Sequence, residues 1–277
     1  MRHPLARLDG RRHLSQAPAA RWLLIGNSRW HWAERTPAGA LRGWDETPPL
    51  AGAPGLPPLA WASVGRRPER GGPPLDRQLR LRDVPLAGCP PWLGVDRALA
   101  GWGAWWEWEE AVLVADAGTV LSLTLVGSDG RLRGGRLLAG LGLQLEAMAD
   151  RTAQLPRLSA AEWSAAESPV LSGGAEDRAP EGAGEDREAK DVGDVREGDP
   201  AWPLATAAAM RLGVAAALAA AVVDAAGEAG CRRLVLTGGD GALLARRVAH
   251  PLEPLGVRVH LRPLLCLESL ARLRPEP

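Results

Sequence analysis

Four stretches of this chain carry residue types whose spacing suits phosphate and hydroxyl chemistry. The first is Asp116, Gly118 and Thr119, set between the apolar run 112–115 and the alternating run 120–126. A glycine between two strands lets backbone N–H groups approach an anion, while the flanking Asp and Thr can serve a cation and a phosphate oxygen. The same tetrapeptide also closes ordinary hairpins, so that alternative stays open. The second stretch, Gly26-Asn27-Ser28-Arg29, repeats the pattern: an apolar strand 22–25, a glycine turn, then a strand to Trp32. The third is Gly94-Val95-Asp96-Arg97, which follows Pro90 and Pro91 and opens a helix running to about residue 106. Asp96 and Arg97 fall in its first turn, where an acidic side chain is favoured and anions bind. Asp96 is therefore either a helix cap or a group that meets substrate. The fourth is the glycine turn Thr237-Gly238-Gly239-Asp240-Gly241.

The elements that must position these residues follow from pattern. Two glycine-centred strand turns, one opening each half of the chain, form an internal repeat. Such a repeat predicts two like domains facing a cleft, each wall supplying one phosphate loop. In the first half, residues 36–58 are rich in Pro and Gly and read as loop. Residues 59–64 read as a buried strand, and 78–84 show strand-like alternation. In the second half, a turn at Ser128-Asp129-Gly130 leads to a third strand, 131–138. A helix 139–151, a helix 202–226, a strand 233–236, a helix 242–248, a strand 257–261 and a short C-terminal helix complete it. Residues 168–200 are acidic, Gly-rich and almost free of large apolar side chains, which predicts a disordered insert. The expected organisation is an N-terminal extension over 1–20, a first domain over 21–108 and a second over 109–277 that contains the insert.

Composition narrows the class. A length of 277 residues accommodates two domains. The formal net charge is zero, which points to neither nucleic acid nor an anionic membrane as partner. Cys89, Cys231 and Cys266 are odd in number and widely spaced, which fits a reduced, cytoplasmic setting without a cysteine metal site. The chain has no Phe or Tyr and 12 Trp, so tryptophan is expected to fill core volume. The richest apolar run, 214–223, reads as a short alanine-rich helix and not as a membrane span. Asn27 is the only Asn in the chain, and it sits inside the first glycine turn.

Taken in order, these motifs resemble those of the type III pantothenate kinases, members of the actin-like ATPase superfamily with acetate and sugar kinases. The resemblance spans about residues 22–273, with the acidic insert unmatched. The family's D-x-G-N-T/S loop corresponds to Leu24 through Ser28, its G-x-D-R motif to Gly94 through Arg97, and its D-x-G-T-A loop to Asp116 through Val120. Its later segments correspond to Gly134 through Gly140, Thr152 through Pro156, Thr206 through Gly213, and Thr237-Gly238-Gly239.

The resemblance implies an α/β fold of two ribonuclease-H-like domains, mixed sheets flanked by helices, with the active site in the interdomain cleft and a homodimeric assembly. It implies transfer of the γ-phosphoryl group of ATP, with Mg2+, to the primary hydroxyl of pantothenate, the first step of coenzyme A synthesis. Asp96 would be the proton acceptor. Gly94, Val95, Asp96 and Arg97 would contact pantothenate, as would Thr206 from the dimer-forming helix. Gly26, Asn27, Ser28, Arg29 and Thr119 would hold ATP, and Asp116 a potassium or ammonium ion. This chain departs from the family pattern at two points. Leu24 stands where the first loop has an aspartate, and Ala87 stands near the place of a substrate-side tyrosine. Leu24 leaves a second reading open, a non-catalytic relative with the same fold, and a kinase for another small hydroxylated acid is a third.

Overall fold

The computed structural model describes residues 20–48, 57–68, 71–158 and 201–275. The expected N-terminal extension (save its last residue, Ala20) and the expected acidic insert lie outside the described residues.

The apolar runs of the first half form β1 (Arg21–Ile25), β2 (Trp30–Arg35), β3 (Leu41–Glu46) and β4 (Ala60–Ser63). They make a sheet in the order β3-β2-β1-β4, antiparallel across β3-β2-β1 and parallel between β1 and β4. In the second half, β5 (Val112–Ala117), β6 (Val120–Val126), β7 (Leu132–Ala139), β8 (Arg233–Thr237) and β9 (Arg258–Leu261) follow the same plan. Their order is β7-β6-β5-β8-β9, with β8 and β9 parallel to β5. The repeat read from the two glycine turns is thus a repeat of sheet topology.

Two expectations for the first half are corrected. Residues 36–58 are not all loop, because Leu41–Glu46 pairs along β2, with Trp44 stacked on Trp32 at 6.0 Å between ring centroids. Cross-strand aromatic pairing of this kind holds an edge strand that Pro- and Gly-rich flanks obscure. Residues 78–84 are not a strand. Gln78 makes a single parallel bridge to Trp61, and the chain then turns into a short 3-10 helix, Leu81–Asp83. That bridge occupies the edge that β9 fills in the second sheet.

Strand alternation sorts side chains onto two faces. On the first sheet, Leu23, Ile25, Trp30, Trp32 and Trp61 share one buried cluster, with Trp44 packed against it. Tryptophan does fill core volume, as the absence of Phe and Tyr implies. The other face, with Trp22, Leu24, Ala33, Ala60 and Ala62, packs in a cluster with helix α1 (Val95–Trp108). The same cluster takes Val112, Val114, Val126 and Val235 from one face of the second sheet. Helix α1 is therefore held between the two sheets, and it ends at Glu109, whose left-handed φ of 51° turns the chain toward β5.

The C-terminal helix, α5 (Leu265–Leu273), crosses back to the first half. Leu265, Cys266, Leu267, Leu270 and Ala271 are buried in the α1 cluster and not with the sheet that precedes them in sequence. Small residues permit the approach: Gly103 of α1 lies directly against Ser269.

The remaining helices, α2 (Leu141–Arg151), α3 (Thr206–Ala229) and α4 (Gly241–Leu252), cover the opposite face of the second sheet. Helix α3 is the helix expected over 202–226, shifted by a few residues at each end, and the alanine-rich run 214–223 is its middle. Among the described residues it is the one helix long and apolar enough, by length and composition, to cross a membrane. Its Met210, Val214, Ala215, Leu218, Val222 and Ala226 are buried against the second sheet and α4, whereas Ala209, Ala216, Ala217 and Ala220 on the other side are exposed.

Leu270 is fully buried on α5. Leu270→Ala is expected to lower unfolding free energy by about 2–5 kcal/mol in chemical denaturation. A change below about 0.5 kcal/mol would mean that α5 is not part of the first core.

Candidate active site

The turn after β1 is closed by the Gly26 N–H donating to the Arg29 carbonyl at 2.9 Å. From behind, the Ile25 carbonyl accepts from Val64 and Gly65, at 3.0 and 3.1 Å. Gly65 lies so close to Gly26 that a Cβ there would overlap the Gly26 carbonyl.

The second turn is tighter than expected. β5 runs on through Asp116 to Ala117, so Asp116 is a strand residue and only Gly118 and Thr119 form the loop. The Thr119 carbonyl accepts from Gly140, and the Ala117 carbonyl accepts from Asp240 of the third glycine turn, both at 2.9 Å. In that third turn Gly238 adopts φ +82°, and a Cβ there would meet Asp116 Oδ1 at 2.5 Å, which only glycine permits. The first and second turns meet across the cleft: Ser28 Oγ and Thr119 Oγ1 are 2.8 Å apart and share a hydrogen bond.

Helix α1 delivers Asp96 to the same place. Gly94 is the N-cap residue and has no side chain to cap with. The Asp96 carboxylate instead accepts from the Arg97 N–H at 2.7 Å, so it does part of a cap's work from inside the first turn. Val95 is buried in the core, and Arg97 donates through Nε to Thr124 Oγ1 at 3.1 Å on β6. Cys266, at the start of α5, donates its thiol to the Asp96 carbonyl at 3.6 Å.

Burial pushes the Asp96 carboxyl above its ordinary range, an effect the Arg97 N–H and the Arg97 charge only partly offset. Asp116 is pushed up to about 6, first by burial and then by the charge of Asp96, with His31 opposing. Burial raises the Cys266 thiol well above 9, and the charges of Asp116 and Asp96 add to the rise. The two carboxylates and the thiol therefore share one electrostatic environment.

Thr206 is not brought to this cluster within the chain. It is the exposed first residue of α3, a helix packed on the face of the second sheet opposite Asp116. Two residues that the motifs did not mark do reach the cleft. His31 on β2 is paired by register with Leu24, and Asp45 on β3 is paired with His31. Strand alternation carries the signal, since His31 must face away from Trp30 and Trp32. Cys266 has no such signal.

The donor set treats cations unequally. Asp96 and Asp116 are like charges in a protein-lined cleft, and oxygen donors of this kind suit a hard cation. Leu24 is buried among apolar side chains and offers a magnesium ion no oxygen at the end of β1.

Two like sheets, each presenting a glycine turn to a cleft that holds a helix-borne carboxylate, make an α/β fold of two related halves around one site. A solved structure supports the fold. A Campylobacter jejuni protein assigned to the Baf family of transcriptional activators superposes with a TM-score of 0.51 at 16% identity, covering 91% of this chain and 96% of that one.

Sequence comparison is more specific. The family model described as type III pantothenate kinase matches residues 88–172. The type III pantothenate kinase of Synechococcus sp. (strain JA-3-3Ab) is 34% identical over 275 residues, 92% of this chain and 93% of that protein. That of Synechococcus elongatus (strain ATCC 33912 / PCC 7942 / FACHB-805) is 33% identical over 262 residues, 86% and 91% of the two chains. The chain belongs to the type III pantothenate kinase family.

The raised pKa of Asp116 has a defined sign. The protonated form is favoured in the folded state, so its stabilising contribution is complete below about 4 and is lost as pH rises through about 6. Asp116→Asn, which stays neutral, should therefore gain stability over the parent as pH rises from 4 to 7 in buffers free of potassium and ammonium. The gain should reach about 1–3 kcal/mol, allowing for water at the cleft mouth. Parallel melting curves for the two proteins across that range would contradict the assignment. In a second test, Gly65→Ala should push the first turn out of place, costing about 1–3 kcal/mol in stability. ATP affinity should fall with it, and retention of both would show that the turn has room to spare.

Proposed function

We propose that this chain transfers the γ-phosphoryl group of ATP to the primary hydroxyl of pantothenate, with the site residues in the following roles. The observation that carries the reading is the meeting of the two glycine turns at Ser28 and Thr119 in the cleft that Asp96 and Asp116 share. Backbone N–H groups of Asn27 and Ser28, which the absence of a side chain at Gly26 leaves open to an anion, bind the phosphates of ATP together with Arg29 and Thr119 from the two walls. Gly94 and Val95 border a recess of about 370 Å³, also lined by Ser63, Gln78 and Arg80, which supports a pantothenate site at the start of α1. Arg97, fixed by Thr124, holds the acceptor in register.

In the transfer step the acceptor oxygen bonds to the γ-phosphorus as the bond to the β–γ bridging oxygen breaks. ADP leaves, and the hydroxyl proton passes to the Asp96 carboxylate. The transition state is loose and spreads charge over the equatorial oxygens, so fixed N–H donors and cations stabilise it without a catalytic lysine. A carboxylate raised by burial is a better match to an alcohol proton than an exposed one.

Asp116 holds a potassium or ammonium ion, whose charge would offset that of the two carboxylates and the phosphates. Thr206 acts in a homodimer. Trp202 and Leu204, just before α3, are large apolar side chains exposed at 67% and 78%, which supports an interface at that end of the helix. The partner's Thr206 then completes the acceptor site. A cytoplasmic location, with neither nucleic acid nor membrane as partner, fits this reading.

Asp96→Asn separates capping from catalysis, because asparagine caps a helix as well as aspartate but cannot take the proton. Folding and ATP affinity should be retained, while pantothenate-dependent ADP release falls roughly 10²-fold or more. Unchanged turnover would reduce Asp96 to a structural residue, and no turnover in the parent would favour the non-catalytic reading. ADP release should also be several-fold faster in potassium or ammonium than in sodium at equal ionic strength. Equal rates in the three salts would remove Asp116 from cation binding.

A further inference from the structure

The inner face of the first sheet carries one row across its four strands: Ala62, Leu24, His31 and Asp45. The matching row of the second sheet is Thr237, Asp116, Ser122 and Leu137. In the second row the carboxylate stands on the central strand, beside the glycine turn. In the first row that position is Leu24, and the carboxylate stands two strands away with a histidine in between.

The displaced groups are connected to the first turn. His31 Nδ1 lies 2.7 Å from Asp45 Oδ1, and Arg29 Nη1 lies 3.8 Å from Asp45 Oδ2. The other ring nitrogen, Nε2, faces the turn itself, 3.1 Å from where a Cβ on Gly26 would stand. Across the cleft, the charge of His31 opposes the rise of the Asp116 pKa. The ring is part-exposed and fixed at one nitrogen, with the second directed at the loop that the kinase reading assigns to phosphate.

We propose that His31 is a phosphate-contacting residue of the ATP site and that Asp45 is its positioning residue, together standing in for the carboxylate that Leu24 lacks. This rests on the kinase reading for the identity of the ligand. Between the Asp45 carboxylate and a phosphate oxygen the ring carries both protons, with Nδ1 donating to Asp45 and Nε2 to the phosphate. Asp45 holds Arg29 on the same side of the turn, so one carboxylate aims two cationic donors. The wall that would have organised phosphate through an acid instead meets it with a base.

The test compares parent, His31→Leu, His31→Gln and Asp45→Asn for thermal melting, ATP affinity by calorimetry, and the KM values for ATP and pantothenate. A purely structural pair that joins β2 to β3 would move melting and leave ATP binding alone. The proposal expects His31→Leu to weaken ATP binding and raise the KM for ATP roughly 10- to 100-fold, with the KM for pantothenate little changed. Glutamine, which keeps a donor near the Nε2 position, should recover most of that loss. Asp45→Asn, of the same shape as the parent side chain, should fall between them.

ATP affinity equal to the parent's in folded His31→Leu would overturn the proposal. If that variant does not fold, unchanged affinity in Asp45→Asn would do the same. A parent that binds ATP without phosphorylating pantothenate, yet loses affinity in these variants, would sink the pantothenate reading and leave this one standing. A parent that binds no ATP would end both.

Discussion

The cleft depends on one helix held between two sheets. Small side chains let α1 lie close to both neighbours: Gly101 approaches Val126 and Leu86 on one side, and Gly103 approaches Ser269 of α5 on another. Ala98, Leu99, Ala100 and Ala104 are buried between them. This packing fixes the direction of the helix, and its first turn brings Asp96 within electrostatic reach of Asp116 at the end of β5. Looser packing of α1 would leave both carboxylates solvated and their proton affinities ordinary. The close packing of protein interiors is what gives a carboxylate at a helix start a raised proton affinity.

The electrostatics follow from that placement. Two acids and a thiol are drawn together in a buried region, where the charge of Asp96 raises the proton affinity of Asp116 and the two acids together raise that of the Cys266 thiol. Such an arrangement disfavours the charged forms of these groups in the unliganded protein. The asymmetry of the walls sharpens the point. The second sheet keeps its carboxylate next to the glycine turn, whereas the first has a leucine there and a histidine–aspartate pair further along the row.

Much of this was legible in the sequence because it is local. Glycine turns after apolar runs, the Asp129-Gly130 hairpin and the proline approach to α1 are set by backbone sterics, and each appears where the pattern puts it, within a few residues. Asp116 was misplaced by a short distance, since the strand continues through it and a tight Gly118-Thr119 turn suffices. What was not legible depends on packing between distant segments. The edge strand Leu41–Glu46 is held by Trp44 on Trp32, the run after Gln78 stops at a single bridge, and α5 returns to a core begun many residues earlier. Cys266 reaches Asp96 only through that return. His31 lay within reach of a sequence reading, because the turn at Gly26 sets the register that pairs it with Leu24, yet no motif draws attention to it.

The most direct measurement is a structure of the protein with a non-hydrolysable ATP analogue and pantothenate bound together. The account predicts the γ-phosphate between the Gly26–Ser28 turn and the Gly118-Thr119 turn, with the primary hydroxyl of pantothenate on the Asp96 carboxylate. A nucleotide seated elsewhere, or a hydroxyl directed away from Asp96, would contradict it.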